Sequence, residues 1–171
     1  MPDGGRIIFK VPKNKDVNGL LEFINRLADE DTFITTKHKT KKEEIEYLNK
    51  IFQAIKEKKG ITITAFTKNL VVGNGEVNKL GERREHVGHL GISVRQDFRN
   101  KGIGQALMKE LIRLAKEFLG IKLVTLDVFS NNPRAIRLYS KLGFKQCGCI
   151  PKAINYKNHL LDNLIMYLNL K

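Results

Sequence analysis

The residues of this chain best equipped for chemistry gather around one short turn. Arg99-Asn100-Lys101-Gly102-Ile103-Gly104-Gln105 follows an apolar run, Leu90 to Val94, and opens into a long amphipathic segment. A helix start leaves several N–H groups without partners, and the helix dipole makes that end positive. Glycines at 102 and 104 let a ligand approach the backbone closely. The arrangement suits an anion, most simply a phosphate, and Arg99 and Lys101 add full charges. The turn fits neither a P-loop nor the three-glycine dinucleotide fingerprint. Three titratable side chains lie within forty residues of it. Asp127 sits in the apolar run Val124-Thr125-Leu126-Asp127-Val128-Phe129 and therefore needs a partner, a shifted pKa, or both. His89 lies just before the turn, and imidazole is the side chain whose ordinary titration falls nearest neutral pH. Tyr139 follows, a phenol that normally holds its proton up to a pH of about 10.

The run Gly91 to Gly104 closely resembles the coenzyme A signature of the GNAT N-acetyltransferase superfamily, an Arg/Gln-x-x-Gly-x-Gly/Ala turn after an apolar strand. A second family-like block, Asn132-Pro133-Arg134-Ala135-Ile136-Arg137-Leu138-Tyr139-Ser140-Lys141-Leu142-Gly143-Phe144, follows in the right order. The resemblance is clear over residues 84–150 and looser outside them.

That resemblance implies acetyl-CoA as co-substrate, no metal, and direct transfer of an acetyl group to a primary amine. The amine would belong to a protein N-terminus, a lysine or a small molecule. It implies that Ile92, Ser93 and Val94 meet the pantetheine arm through their main chain. Asn100, Lys101, Gly102, Ile103, Gly104 and Gln105, beside Arg99, correspond to the pyrophosphate-binding turn. Asn132 would contact coenzyme A as well as cap a helix, and Tyr139 occupies the family's general-acid position. Asp127 and His89 are rival candidates for the base that takes the amine proton. A homodimer is a reasonable expectation from the family.

The net charge is +13, from 31 basic and 18 acidic residues. Residues 1–60 contribute 13 Lys/Arg against 10 Asp/Glu, and residues 61–171 contribute 18 against 8. The excess therefore lies in the half that holds the turn, as a polyphosphate ligand would favour. Two other classes remain as alternatives: an acetyl-CoA-binding sensor without turnover, and a nucleic-acid-associated basic protein. The second is disfavoured, because no helix-turn-helix, zinc finger or aromatic platform is visible. His86 and His89 lack the spacing of a helical metal pair, and no Cys-x-x-Cys accompanies them. Cys147 and Cys149 are too close to suggest a disulfide framework, and an acyl-cysteine route has no visible His partner. No signal segment or membrane span is read, so a cytoplasmic protein is expected.

The length suits one domain, 1–171, of mixed α/β class with a mostly antiparallel central sheet flanked by helices. A strand is expected over 6–11. A helix capped by Asn14 follows, with Val17, Leu20, Leu21, Ile24, Leu27 and Ala28 on one face and Asp29-Glu30-Asp31 at its end. Thr40-Lys41-Lys42-Glu43 is a capping box. It opens a second helix with an apolar face of Ile45, Leu48, Phe52 and Ile55, stopped by Gly60. Strands are expected over 61–66, 70–77 and 87–94, with a basic loop over 79–84. A helix should cover 103–119, and a strand with both faces covered should cover 122–129. Pro133 after Asn132 starts the last helix and Gly143 ends it. Closing strands over 144–150 and 160–169 should flank a loop from Pro151 to His159.

Overall fold

The computed structural model of the chain describes residues 6–30 and 37–170. Its seven strands are β1 (Ile7–Lys10), β2 (Gly60–Thr67), β3 (Leu70–Lys79), β4 (Val87–Val94), β5 (Leu123–Phe129), β6 (Lys145–Tyr156) and β7 (His159–Asn169). Its helices are α1 (Val17–Asp29), α2 (Lys41–Lys56), α3 (Ile103–Glu117) and α4 (Pro133–Lys141). The strands form one sheet in the order β1-β2-β3-β4-β5-β7-β6. Every neighbouring pair is antiparallel except β4 and β5, which run parallel.

Two apolar clusters sandwich this sheet. Leu107, Met108, Leu111 and Ala115 of α3 are buried against Val77, Leu90 and Val124 on one face. Gly75 makes that approach possible, because a Cβ there would come within 2.7 Å of Leu111. On the opposite face Leu20, Phe23 and Leu27 of α1 pack with Leu48 and Ile51 of α2 over Phe66 and Val71. Removing a fully buried leucine from either cluster would cost about 2–5 kcal/mol.

Several expectations are corrected. Asn14 does not cap α1: it begins a short 3-10 turn, entered where the Lys13 N–H donates to Asp16 Oδ2 at 2.9 Å. The capping box at Thr40 forms, with the Thr40 N–H donating to Glu43 Oε2 at 2.7 Å. The buried face of α2, however, is Glu44, Leu48 and Ile51, and Ile45 is 44% exposed. The inward stripe runs one position earlier than the apolar residues alone suggest. Gly60 opens β2 instead of stopping α2, which ends at Lys56 with a left-handed residue at Lys58. Asp31, expected to help end α1, lies outside the described residues.

The segment 151–159 is no loop. β6 and β7 continue through it as a hairpin, Tyr156 opposite His159, turned at Lys157 and Asn158 with positive φ. Pro151 is tolerated because β6 is the outer strand, where its missing N–H costs no ladder bond. β5 does not have both faces covered either. Val124, Leu126 and Val128 are buried, whereas Asp127 between them is exposed.

Candidate functional site

The sheet opens where β4 leaves β5. Their pairing extends only from Val87–Leu123 to His89–Thr125, while β4 stays paired with β3 as far as Val94. From Leu90 onward the β5-facing side of β4 has no strand beside it. A cavity of about 520 Å³ fills the gap.

One wall comes from β4 and the turn that follows it, where Ile92, Ser93 and Val94 line the cavity with Arg99, Asn100, Gly102, Gly104 and Gln105. The chain makes this elbow with a short 3-10 turn over Gln96–Phe98, then Asn100 at φ 62° and Gly102 at φ 80°. Glycine and asparagine are the residues that adopt such angles at least cost. Gly102 is the N-cap of α3 and supplies no side-chain cap, so the free N–H groups at the helix start are left to an incoming acceptor. Lys101 and Ile103 do not line the cavity through their side chains. The Lys101 ammonium stands 5.0 Å over the Phe98 ring, and Ile103 is core.

The opposite wall comes from β5 and α4. Asn132 lines the cavity and caps α4, accepting the Ala135 N–H at 3.1 Å. Arg134, in the first turn of α4, also lines it. Burial, and then repulsion from the Arg99 guanidinium, push the Arg134 pKa below the ordinary arginine value. Two guanidinium groups are thus close enough to repel each other beside the elbow, a placement that an anion between them would relieve. Arg134 was not singled out from the sequence. The available signal was its position in the first turn of a helix capped by Asn132 and Pro133.

Tyr139 reaches the cavity from α4 and is only 8% exposed. Burial pushes its pKa up to about 12. Its ring lies 6.1 Å from that of Phe144. A phenol in this setting keeps its proton at neutral pH and can donate it.

The two rival bases form one pair. Asp127 Oδ2 lies 3.5 Å from His89 Nε2, and the Asn163 amide donates to Asp127 Oδ1 at 3.0 Å. His89 Nδ1 is 3.4 Å from the Thr125 hydroxyl. The parallel register explains the meeting, since His89 stands opposite Thr125 and Asp127 is two residues further on the same face. Asp127 lines the cavity and His89 does not. Both side chains are nearly half exposed, 47% and 43%. Asp127 thus has side-chain partners, and its apolar sequence neighbours point the other way.

Cys147 and Cys149 are free and exposed on β6, away from the cavity lining. No group of three or more His, Cys, Asp or Glu side chains among the described residues is placed to hold a metal ion. No helix among them is long and apolar enough to cross a membrane.

Residues 21–144 match the family model described as Acetyltransferase (GNAT) family. The chain is 40% identical over 63 residues to the L-amino acid N-acetyltransferase AaaT of Escherichia coli, a stretch covering 37% of this chain and 39% of that protein. It is 42% identical over 60 residues to an N-alpha-acetyltransferase of Sulfurisphaera tokodaii, covering 34% of this chain and 36% of that one. The matched stretch thus spans well under half the length of these curated relatives. Among solved structures, yncA of Salmonella typhimurium with its cofactor acetyl-CoA superposes with a TM-score of 0.83 at 18% identity, covering 96% of this chain and 94% of that one.

Proposed function

The chain belongs to the GNAT acetyltransferase family, and from that premise we propose that it is an acetyl-CoA-dependent N-acetyltransferase acting on a primary amine. One observation carries the reading: a single cavity joins an anion-binding elbow to a proton-holding phenol and to an open carboxylate. Acetyl-CoA fits this donor set. The main-chain N–H groups of residues 100–105 and the Arg134 guanidinium would hold the diphosphate, and the unpaired side of Ile92–Val94 would receive the pantetheine arm. When bound, acetyl-CoA supplies an acetyl group activated as a thioester.

The remaining work falls to this chain's side chains. Main-chain N–H groups of β4 facing the gap polarise the carbonyl oxygen. Tyr139 Oη holds a proton for the departing sulfur. Asp127, the member of the pair that lines the cavity, accepts the proton of the incoming ammonium directly or through water. His89 and Asn163 fix its two oxygens. The Escherichia coli and Sulfurisphaera relatives are named for amino-acid and N-alpha acceptors. Both are primary amines, which supports the class of acceptor without choosing within it. A cytoplasmic location accords with a co-substrate of this kind.

The test is release of free thiol from acetyl-CoA across a panel of amino acids, polyamines and peptides with free N-termini. Amine-dependent release is expected. Tight coenzyme A binding with no release for any amine would favour a sensor and end the enzymatic reading.

A further inference from the structure

A carboxylate outside the cavity is wired into the elbow. Glu30, the C-cap of α1, has a side chain only 4% exposed. Its Oε1 accepts the Gln96 N–H at 2.9 Å, and its Oε2 pairs with Arg99 Nη2. Arg99 in turn donates from Nε to the Val94 carbonyl at 2.9 Å. The guanidinium is therefore fastened at two of its three nitrogens, to the end of β4 and to the end of α1. It lines the cavity with its Nη1 group uncommitted by these contacts. The residues it braces, 94 to 99, lead directly into the left-handed Asn100 and Gly102.

An elbow of main-chain amides binds well only if its angles are set before the ligand arrives, since ordering it on binding would cost affinity. β4 holds Arg99 at Nε through the Val94 carbonyl, and the brace at Nη2 lies outside β4 and α3. The brace comes from α1, some seventy residues earlier, on the other face of the sheet. A second contact of the same kind provides a comparison. Glu22 of α1 pairs with Arg95 at 3.0 Å, but its side chain is 51% exposed and it touches no main-chain group of the elbow.

We propose that Glu30 is a positioning residue for the coenzyme: through Arg99 and the Gln96 N–H it holds the elbow in its binding conformation and so sets the affinity for the diphosphate. The inference rests on the reading of the cavity as a coenzyme A site. It deepens that reading by placing control of donor affinity on α1.

The test is calorimetric binding of coenzyme A to wild type, Glu30→Ala, Glu30→Gln and Glu22→Gln, with steady-state kinetics for both substrates. Glu30→Ala is expected to raise Kd and the KM for acetyl-CoA about tenfold or more, with kcat at saturating donor within about threefold. Glu30→Gln retains a carbonyl oxygen for the Gln96 N–H and is expected to fall between. Glu22→Gln is expected to bind within about twofold of wild type. If the Glu30 variants bind coenzyme A as wild type does while melting lower, the residue is merely structural and the proposal fails. Equal weakening by Glu22→Gln would also overturn it, since general stiffness of α1 would then be responsible. Failure of wild type to bind coenzyme A would overturn the cavity reading and this inference together.

Discussion

The β4–α3 wall of the cavity is lined by Ile92, Ser93, Val94 and the elbow, and behind it stand Leu107, Leu111 and Val77, all fully buried. On the opposite wall Asp127 of β5 is held by other side chains, Asn163 and His89, and is nearly half open to water. Tyr139 of α4 stands on the same wall as Asp127 but is buried. The contrast points to a division of labour. A wall backed by a packed core suits holding one invariant ligand, and a buried phenol suits keeping one proton. An open wall of paired side chains suits exchanging a proton and admitting a variable acceptor.

The division can be broken most directly at Tyr139. Tyr139→Phe keeps the ring and removes the donor, and kcat is expected to fall about 100-fold or more, at unchanged acetyl-CoA affinity. A kcat within about twofold of wild type would remove the phenol from the chemistry. The same residue sharpens the contrast through stability. Its pKa is raised by burial from 10.0 in the ordinary state to about 12. The folded state thus binds this proton more tightly, and the associated stability is complete below pH 10 and lost as pH rises through about 12. That loss amounts to about 2–3 kcal/mol. Tyr47, whose pKa burial and then Glu76 push still higher, is common to both proteins. The alkaline fall in Tm should therefore be steeper in wild type than in Tyr139→Phe.

On the open wall, Asp127→Asn preserves the shape and removes the base. A loss of kcat/KM on the order of tenfold is expected, together with loss of the acidic limb of its pH profile. Retention of that limb in Asp127→Asn and its loss in His89→Ala would transfer the role to His89. The smallest effect belongs outside both walls. Changing Cys147 and Cys149 together to serine should leave kcat within about twofold, because exposed positions away from special contacts seldom matter. A large loss there, with a competent acetyl-cysteine, would replace direct transfer by a covalent route.

The wall formed by β4 and the elbow is the legible one. The elbow's strand-glycine-helix order and the amphipathic segment after it are local signals, as is the Asn132-Pro133 start of α4 on the opposite wall, and each falls where the spacing puts it. The open wall depends on register, which single residues do not announce. Nothing near Asp127 in sequence points to Asn163, thirty-six residues on, and the apolar neighbours suggested burial that the strand's alternation denies. The closing pair of strands is legible, but its continuation through 151–159 is not, for a related reason. Pro151 and the polar residues after it resemble a loop, yet an outer strand tolerates both. Glu30 looked like a helix-ending acid, and only the folded chain brings it to Arg99.

On the proposed function, the amides of the elbow would hold the diphosphate of the acyl carrier. Titration of isotope-labelled protein with acetyl-CoA, followed by amide resonances, tests it directly. Saturable shifts are expected at Asn100, Lys101, Gly102, Ile103, Gly104 and Gln105, with the first turn of α4 moving at the same ligand concentrations. Elbow amides that stay still while resonances elsewhere saturate would contradict it.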